Sequence, residues 1–196
     1  MIGIIDYNAG NIHSVGKALN TLGFKYKIVQ KSSDISNVKK LIFPGVGNYG
    51  DTMKKISHLK STIKKWIKNG NPLLGICVGL QTLMESSREK ENITGLSFFK
   101  GKNEKFNIGK VPQIGWNKVS FKKDDPLFEK IEDNSYFYFL HSFYPVPVEE
   151  ENILATTKYY TIFSSILKKD NVYGVQFHPE KSGILGIKLI NNWINL

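Results

Sequence analysis

Leu73-Leu74-Gly75-Ile76-Cys77-Val78-Gly79-Leu80-Gln81 decides how the rest of the chain is read. Leu73 to Ile76 is a short apolar run that begins just after Pro72, the length and composition of a buried strand. Val78 to about Met84 continues as a helical run. The only cysteine of the chain stands between them. Strand, sharp turn, helix, with the nucleophile in the turn, is the sequence shape of a nucleophile elbow. The turn crowds its neighbours, and Gly75 and Gly79 relieve that crowding. The free N–H groups and dipole of a helix N-terminus favour a thiolate above it. A lone cysteine is most often a buried structural residue. The flanking glycines and the strand-turn-helix context assign Cys77 as a nucleophile instead.

Outward from this stretch, the first half alternates strands and helices. Ile2 to Ile5, Lys25 to Val29 and Leu41 to Phe43 read as strands. Ile12 to Leu22 and Met53 to Ile67 carry apolar residues at helical spacing, ended by Gly23 and by Gly70 with Pro72. Such alternation predicts right-handed crossovers and a parallel sheet, with chemistry in the loops at the carboxyl ends of its strands. Those loops follow Ile5, Phe43 and Ile76. The second half predicts short aromatic or β-branched strands at 119–121, 136–140, 153–157, 161–166 and 172–177, then a closing helix from Ile184 to Ile194. The reading is a single α/β domain over 1–196: a mostly parallel central sheet flanked by helices, with a smaller antiparallel, β-rich part in the second half.

Composition excludes several classes. Hydrophobic residues at 41% and charged residues at 22% fit a globular chain. One cysteine rules out an intrachain disulfide framework and a cysteine-rich zinc site, which points to a reducing, cytoplasmic setting. The N-terminus meets Asp6 at once and reads as a buried strand, not a signal peptide, and no apolar run is long enough to cross a membrane. The net charge of +10 would suit an anionic partner. However, only Arg88 among the 27 basic residues is arginine, the residue suited to bidentate phosphate and base reading, so no nucleic-acid partner is expected. The histidines are dispersed without ligand spacing, so neither a metal site nor a cofactor is expected.

A thiolate needs a base. Of His13, His58, His141 and His178, the last follows the strand-like Val172 to Phe177 and continues as Pro179-Glu180. In extended chain, residues two apart point the same way, so Glu180 is placed to orient the His178 ring as third member of a triad. Pro44-Gly45-Val46-Gly47 closes the third strand on the same sheet edge. Its glycines let backbone N–H groups turn toward an oxyanion, and the N–H of Val78 supplies a further donor.

Three motifs together, Pro44-Gly45-Val46-Gly47, Gly75 to Gln81 and Gly174-Val175-Gln176-Phe177-His178-Pro179-Glu180, make the chain resemble the class I (triad) glutamine amidotransferases, whose fold is flavodoxin-like. Further pieces sharpen the resemblance: Asp6-Tyr7-Asn8-Ala9-Gly10-Asn11, Gly47-Asn48-Tyr49-Gly50-Asp51, Pro112 to Asn117, Tyr136 to Ser142, and Lys181-Ser182. They are similar to members of the family that act in histidine biosynthesis beside a separate (β/α)8-barrel cyclase. The match runs end to end, with no synthetase domain fused on either side.

The resemblance implies a mechanism and a set of roles. Cys77 attacks the side-chain amide of glutamine, His178 moves the proton, Glu180 orients His178, and a γ-glutamyl thioester is hydrolysed to glutamate and ammonia. Gly45, Val46, Gly47 and Val78 form the oxyanion hole. Gln81, Glu89 and the His141-Ser142-Phe143 segment hold glutamine, with Glu89 suited to its α-ammonium. Asn11, Trp116, Asn117 and Lys181 match positions near the cyclase partner, to which ammonia passes. The Val46 peptide is expected to hold its N–H away from the oxyanion until the partner turns it. Asn8 stands where the family commonly has glycine, and Leu140 where valine is usual. These departures leave open a paralogue that feeds ammonia to a surface-sugar amidation enzyme.

Overall fold

A computed structural model of the chain describes residues 1–8 and 11–196. Ala9 and Gly10 of the loop motif lie outside the described residues. The elements run β1 (Ile2–Ile5), α1 (Ile12–Thr21), β2 (Tyr26–Val29), β3 (Lys40–Phe43), α2 (Tyr49–Lys55), α3 (Lys60–Lys68), β4 (Leu73–Ile76) and α4 (Val78–Leu83). There follow β5 (Met84–Ser87), β6 (Phe99–Lys105), β7 (Gln113–Phe121), β8 (Ser135–His141), β9 (Phe143–Pro147), β10 (Ile153–Tyr159), β11 (Thr161–Lys169), β12 (Val172–Val175) and α5 (Gly183–Asn195).

Among the described residues, nine strands form one sheet in the order β2-β1-β3-β4-β12-β11-β10-β7-β8. Its β2-β1-β3-β4-β12 portion is parallel. From β12 onward the neighbours are antiparallel, so the β-rich second half extends the main sheet. A second, smaller sheet, β5-β6-β9, has three strands, with β6 and β9 antiparallel; a smaller β-rich part was expected, but not from these segments.

The parallel strands are apolar on both faces because helices cover both. Ile4, Ile42, Leu74 and Ile76 pack with Val15 and Leu19 of α1 and Leu189, Ile190 and Trp193 of α5. Ile5, Leu41, Phe43 and Leu73 pack with Met53, Ile63 and Trp66 of α2 and α3 and with Leu80 and Leu83 of α4. Each such side chain, fully buried, contributes about 1.5–3 kcal/mol.

The single helix expected from Met53 to Ile67 is two helices joined by a 3-10 turn at Ser57–Leu59. The first begins earlier, at Tyr49, because the Asn48 side chain accepts the Asp51 N–H and caps it. Ile56, just before the 3-10 turn, and Leu59 within it pack into the core. Asn8 has φ +55, a left-handed conformation that asparagine and glycine both adopt.

Candidate active site

Register brings the candidate groups together. In the β4–β12 pair, Gly75 faces Gly174 and Ile76 faces Val175, so the chain leaving β12 runs beside the elbow. The Cys77 N–H donates to the Val175 carbonyl at 2.7 Å. Cys77 itself has φ +49 and ψ −109, a conformation costing about 1–3 kcal/mol for a non-glycine residue. The turn that imposes it leaves no room for side chains beside it. A Cβ on Gly79 would lie 2.1 Å from the Phe43 carbonyl oxygen, and one on Gly75 would lie 2.8 Å from the Leu80 nitrogen.

His178 Nδ1 donates to Glu180 Oε1 at 2.8 Å, and both side chains are buried. The geometry behind this contact differs from the sequence expectation. β12 ends at Val175, and Glu180 lies in a 3-10 turn, Pro179–Lys181, for which His178 is the N-cap. The turn, not an extended strand, folds the carboxylate back onto the ring. Glu180 Oε1 also accepts Asn11 Nδ2 at 3.1 Å. Asn11, expected at the partner surface, therefore has its amide committed to Glu180.

Burial alone would lower the His178 pKa, but the negative charges of Cys77 and Glu180 outweigh it and raise the imidazole to about 10. His178 Nε2 has no hydrogen-bond partner among the described residues. In its thiol form Cys77 donates to the Leu140 carbonyl at 3.7 Å, and in either form its sulfur accepts Gln176 Nε2 at 3.6 Å. Leu140 thus touches Cys77 through its backbone, a contact its side-chain identity could not announce.

The Pro44–Gly47 strand is pressed against the elbow. A Cβ on Gly45 would fall 1.7 Å from the Ile76 oxygen and 2.6 Å from the Val78 nitrogen. Val78 opens α4, so its N–H has no carbonyl one turn back within the helix. The Val46 N–H donates to the Tyr7 hydroxyl at 3.3 Å, and that hydroxyl is 3.0 Å from the Pro44 carbonyl, to which it donates. Burial raises the Tyr7 pKa, so the phenol stays neutral and keeps its proton for that bond.

These groups surround a cavity of about 280 Å³ lined by Gly45, Val46, Gly47, Cys77, Val78, Gln81, Glu89, Pro112 and Leu140 through Phe143, with His178. The proposed oxyanion and glutamine residues thus converge on one space, and Pro112 joins them. The Phe143 carbonyl accepts both Gln81 Nε2 and His141 Nδ1, each at 2.8 Å. Burial pushes His141 down to about 3, so it is neutral and not a second base. Glu89 is half-buried: one oxygen accepts the Tyr49 N–H at 2.6 Å, and burial raises its pKa. Trp116 and Lys181 are exposed, while Asn117 Nδ2 donates to the Lys158 carbonyl. Among the described residues, no group of three or more His, Cys, Asp or Glu is placed to hold a metal.

Comparison with known proteins extends this picture. The family model for glutamine amidotransferase class-I matches residues 3–194. The chain is 49% identical over its full length, and that of the relative, to imidazole glycerol phosphate synthase subunit HisH of Methanocaldococcus jannaschii. It is 40% identical to the protein of that name from Bacillus subtilis, covering 100% of this chain and 96% of the relative. Among solved structures, PurLQS from Thermotoga maritima superposes with a TM-score of 0.78 at 21% identity, covering 99% of this chain and 97% of that one. A solved glutamine amidotransferase superposes with a TM-score of 0.76 at 20% identity, covering 99% of this chain and 97% of the other.

Proposed function

The chain belongs to the class I glutamine amidotransferases, and we propose that it is the glutaminase subunit of an imidazole glycerol phosphate synthase, hydrolysing glutamine at Cys77. The observation that carries this reading is the convergence of Cys77, His178 and the Gly45–Gly47 strand on one cavity the size of a small substrate.

The chemistry follows from the geometry. The Cys77 thiolate adds to the side-chain amide carbon, and the carbonyl oxygen becomes an oxyanion facing the Val78 N–H and the Gly45–Gly47 backbone. Each oxyanion donor is worth roughly 10²–10³ in rate. His178, held protonated, gives its proton to the amide nitrogen, the C–N bond breaks, and ammonia leaves. Water then adds to the γ-glutamyl thioester and loses its proton to His178, and the C–S bond breaks to release glutamate and restore the thiolate. The free oxygen of Glu89 and the Oε1 of Gln81 are suited to the glutamine α-ammonium.

The ammonia goes to a (β/α)8-barrel cyclase partner that forms imidazole glycerol phosphate and an aminoimidazole carboxamide ribotide. The full-length relatives named above support this acceptor over a surface-sugar pathway. A surface for the partner adjoins the triad. His178 N–H donates to the Tyr138 carbonyl at 2.8 Å, which ties the triad to β8. On β7 and β8, Ile114, Trp116 and Tyr136 are each more than half exposed, an apolar patch of the kind that marks a protein interface. Exposed Lys181, next to Glu180, borders the active site. The Val46 N–H given to Tyr7, and not to the oxyanion, is the resting state that docking reverses.

Glutamate release tests this. It is low for the chain alone, rises when the cyclase and its nucleotide are added, and vanishes in Cys77→Ala. Intact glutaminase that never supports imidazole glycerol phosphate synthesis with a cyclase would overturn the assigned acceptor.

A further inference from the structure

The triad accounts for the proton but leaves unexplained what holds the sulfur. Gln176 is fully buried just after β12 and belongs to neither the triad nor the glutamine pocket. Its backbone is fixed by an N–H donated to Ser165 O at 2.9 Å.

The hydrogen bonds determine which way its carboxamide faces. The Phe143 carbonyl can only accept, so the Gln81 atom 2.8 Å from it is the NH2 group. That NH2 has a second hydrogen, and its other neighbour, at 3.2 Å, is Gln176. The Gln176 atom there must accept, so it is Oε1. The NH2 of Gln176 is left facing Cys77 Sγ at 3.6 Å. The Gln81 backbone is held as well: its carbonyl accepts Asn103 Nδ2 at 2.9 Å and its N–H donates to Cys77 O at 3.0 Å.

The sulfur therefore sits between an acceptor and a donor. The Leu140 carbonyl, 3.7 Å away, serves a thiol S–H and repels a thiolate. The Gln176 NH2 serves a thiolate. Deprotonation loses the first contact and strengthens the second, because a hydrogen bond to a charged acceptor is roughly twice as strong as a neutral one.

We propose that Gln176 is a further catalytic residue, a fixed N–H donor that stabilises the Cys77 thiolate, aligned by Gln81 and the Phe143 carbonyl. The proposal rests on Cys77 being the nucleophile, and its test separates the two ideas. The pH dependence of iodoacetamide alkylation of Cys77 is measured in the full chain, wild type against Gln176→Met, which keeps length and burial but removes the donor. The midpoint in the variant moves up by about one pH unit, so alkylation below both midpoints is roughly tenfold slower, with the alkaline plateau rate retained. A merely structural role would change the plateau and leave the midpoint. An unchanged midpoint overturns the proposal. A wild-type cysteine that never alkylates overturns the nucleophile assignment itself. If Gln176→Met does not fold, the side-chain ¹⁵N–H resonances of wild-type Gln176 replace it: they titrate with the alkylation midpoint, and pH-independent resonances overturn the proposal.

Discussion

Asn11 and Glu180, 169 residues apart in the chain, are joined by a hydrogen bond from Asn11 Nδ2 to Glu180 Oε1, 3.1 Å long, on the oxygen that also accepts His178 Nδ1. The start of the first helix thus reaches across the sheet edge to hold the carboxylate that pairs with His178. Asn11 is the N-cap of α1, yet its side chain makes no capping bond. Its amide serves the site in place of the helix.

Asn11→Ala frees one lone pair of a buried carboxylate. A hydrogen bond to a charged group is worth about 1.5–3 kcal/mol, so kcat falls roughly 10- to 100-fold with KM for glutamine little changed. Steady-state glutaminase kinetics at saturating cyclase check this. A variant that weakens only cyclase binding, with kcat intact at saturation, would place Asn11 at the interface alone.

The raised pKa of His178 sets a pH window. A free imidazole titrates near 6.5, so at pH 8 it is neutral. His178, raised to about 10 by Cys77 and, to a lesser extent, Glu180, is protonated there and able to act as the acid. Removing either negative charge lowers that value. NMR titration of the His178 ring shows a downward shift in Glu180→Gln and a larger one in Cys77→Ala. A titration unmoved by both substitutions would mean that the ring is not paired as described.

Tyr7→Phe deletes the hydroxyl that receives the Val46 N–H at 3.3 Å. If that bond holds the peptide in its resting orientation, losing about 0.5–1.5 kcal/mol raises the glutaminase rate of the isolated chain roughly 2- to 10-fold. The stimulated rate with cyclase stays close to wild type. An isolated chain no faster than wild type would show that Tyr7 does not restrain the peptide.

His141 shows the opposite shift. Burial pushes it down to about 3, so between that value and about 6.5 the unfolded chain binds a proton that the folded chain does not. Its contribution to stability is complete above pH 6.5 and is lost as pH falls. Acidification from pH 6.5 to 5 costs about 2 kcal/mol at that site. Urea denaturation finds the loss in wild type and a smaller one in His141→Gln. Parallel pH curves for the two proteins would contradict the buried neutral assignment.

The elbow was legible because its physics is local. A doubly buried strand must be apolar, a tight turn needs small neighbours, and both demands are written in Leu73 to Gly79. The contact between His178 and Glu180 was legible because they are near neighbours in sequence, although a 3-10 turn joins them where an extended chain was expected. β6 was not legible: Phe99-Lys100-Gly101-Lys102-Asn103-Glu104-Lys105 is mostly polar and becomes a strand through pairing with β5 and β9. Its buried Asn103 is held by Nδ2 bonds to the Gln81 and Ser86 carbonyls, contacts between distant segments. Asn11 was read as a position near a partner; its bond to Glu180 spans nearly the whole chain and leaves no local pattern.

The most direct test of the nucleophile is to trap the acyl-enzyme. The chain with its cyclase and nucleotide is mixed with isotopically labelled glutamine, quenched in acid, digested and analysed by mass spectrometry. The expected result is a labelled γ-glutamyl adduct on the peptide carrying Cys77 and none in Cys77→Ala, which releases no glutamate. Glutamate formed by Cys77→Ala at the wild-type rate, with no adduct in either protein, would contradict covalent catalysis at Cys77.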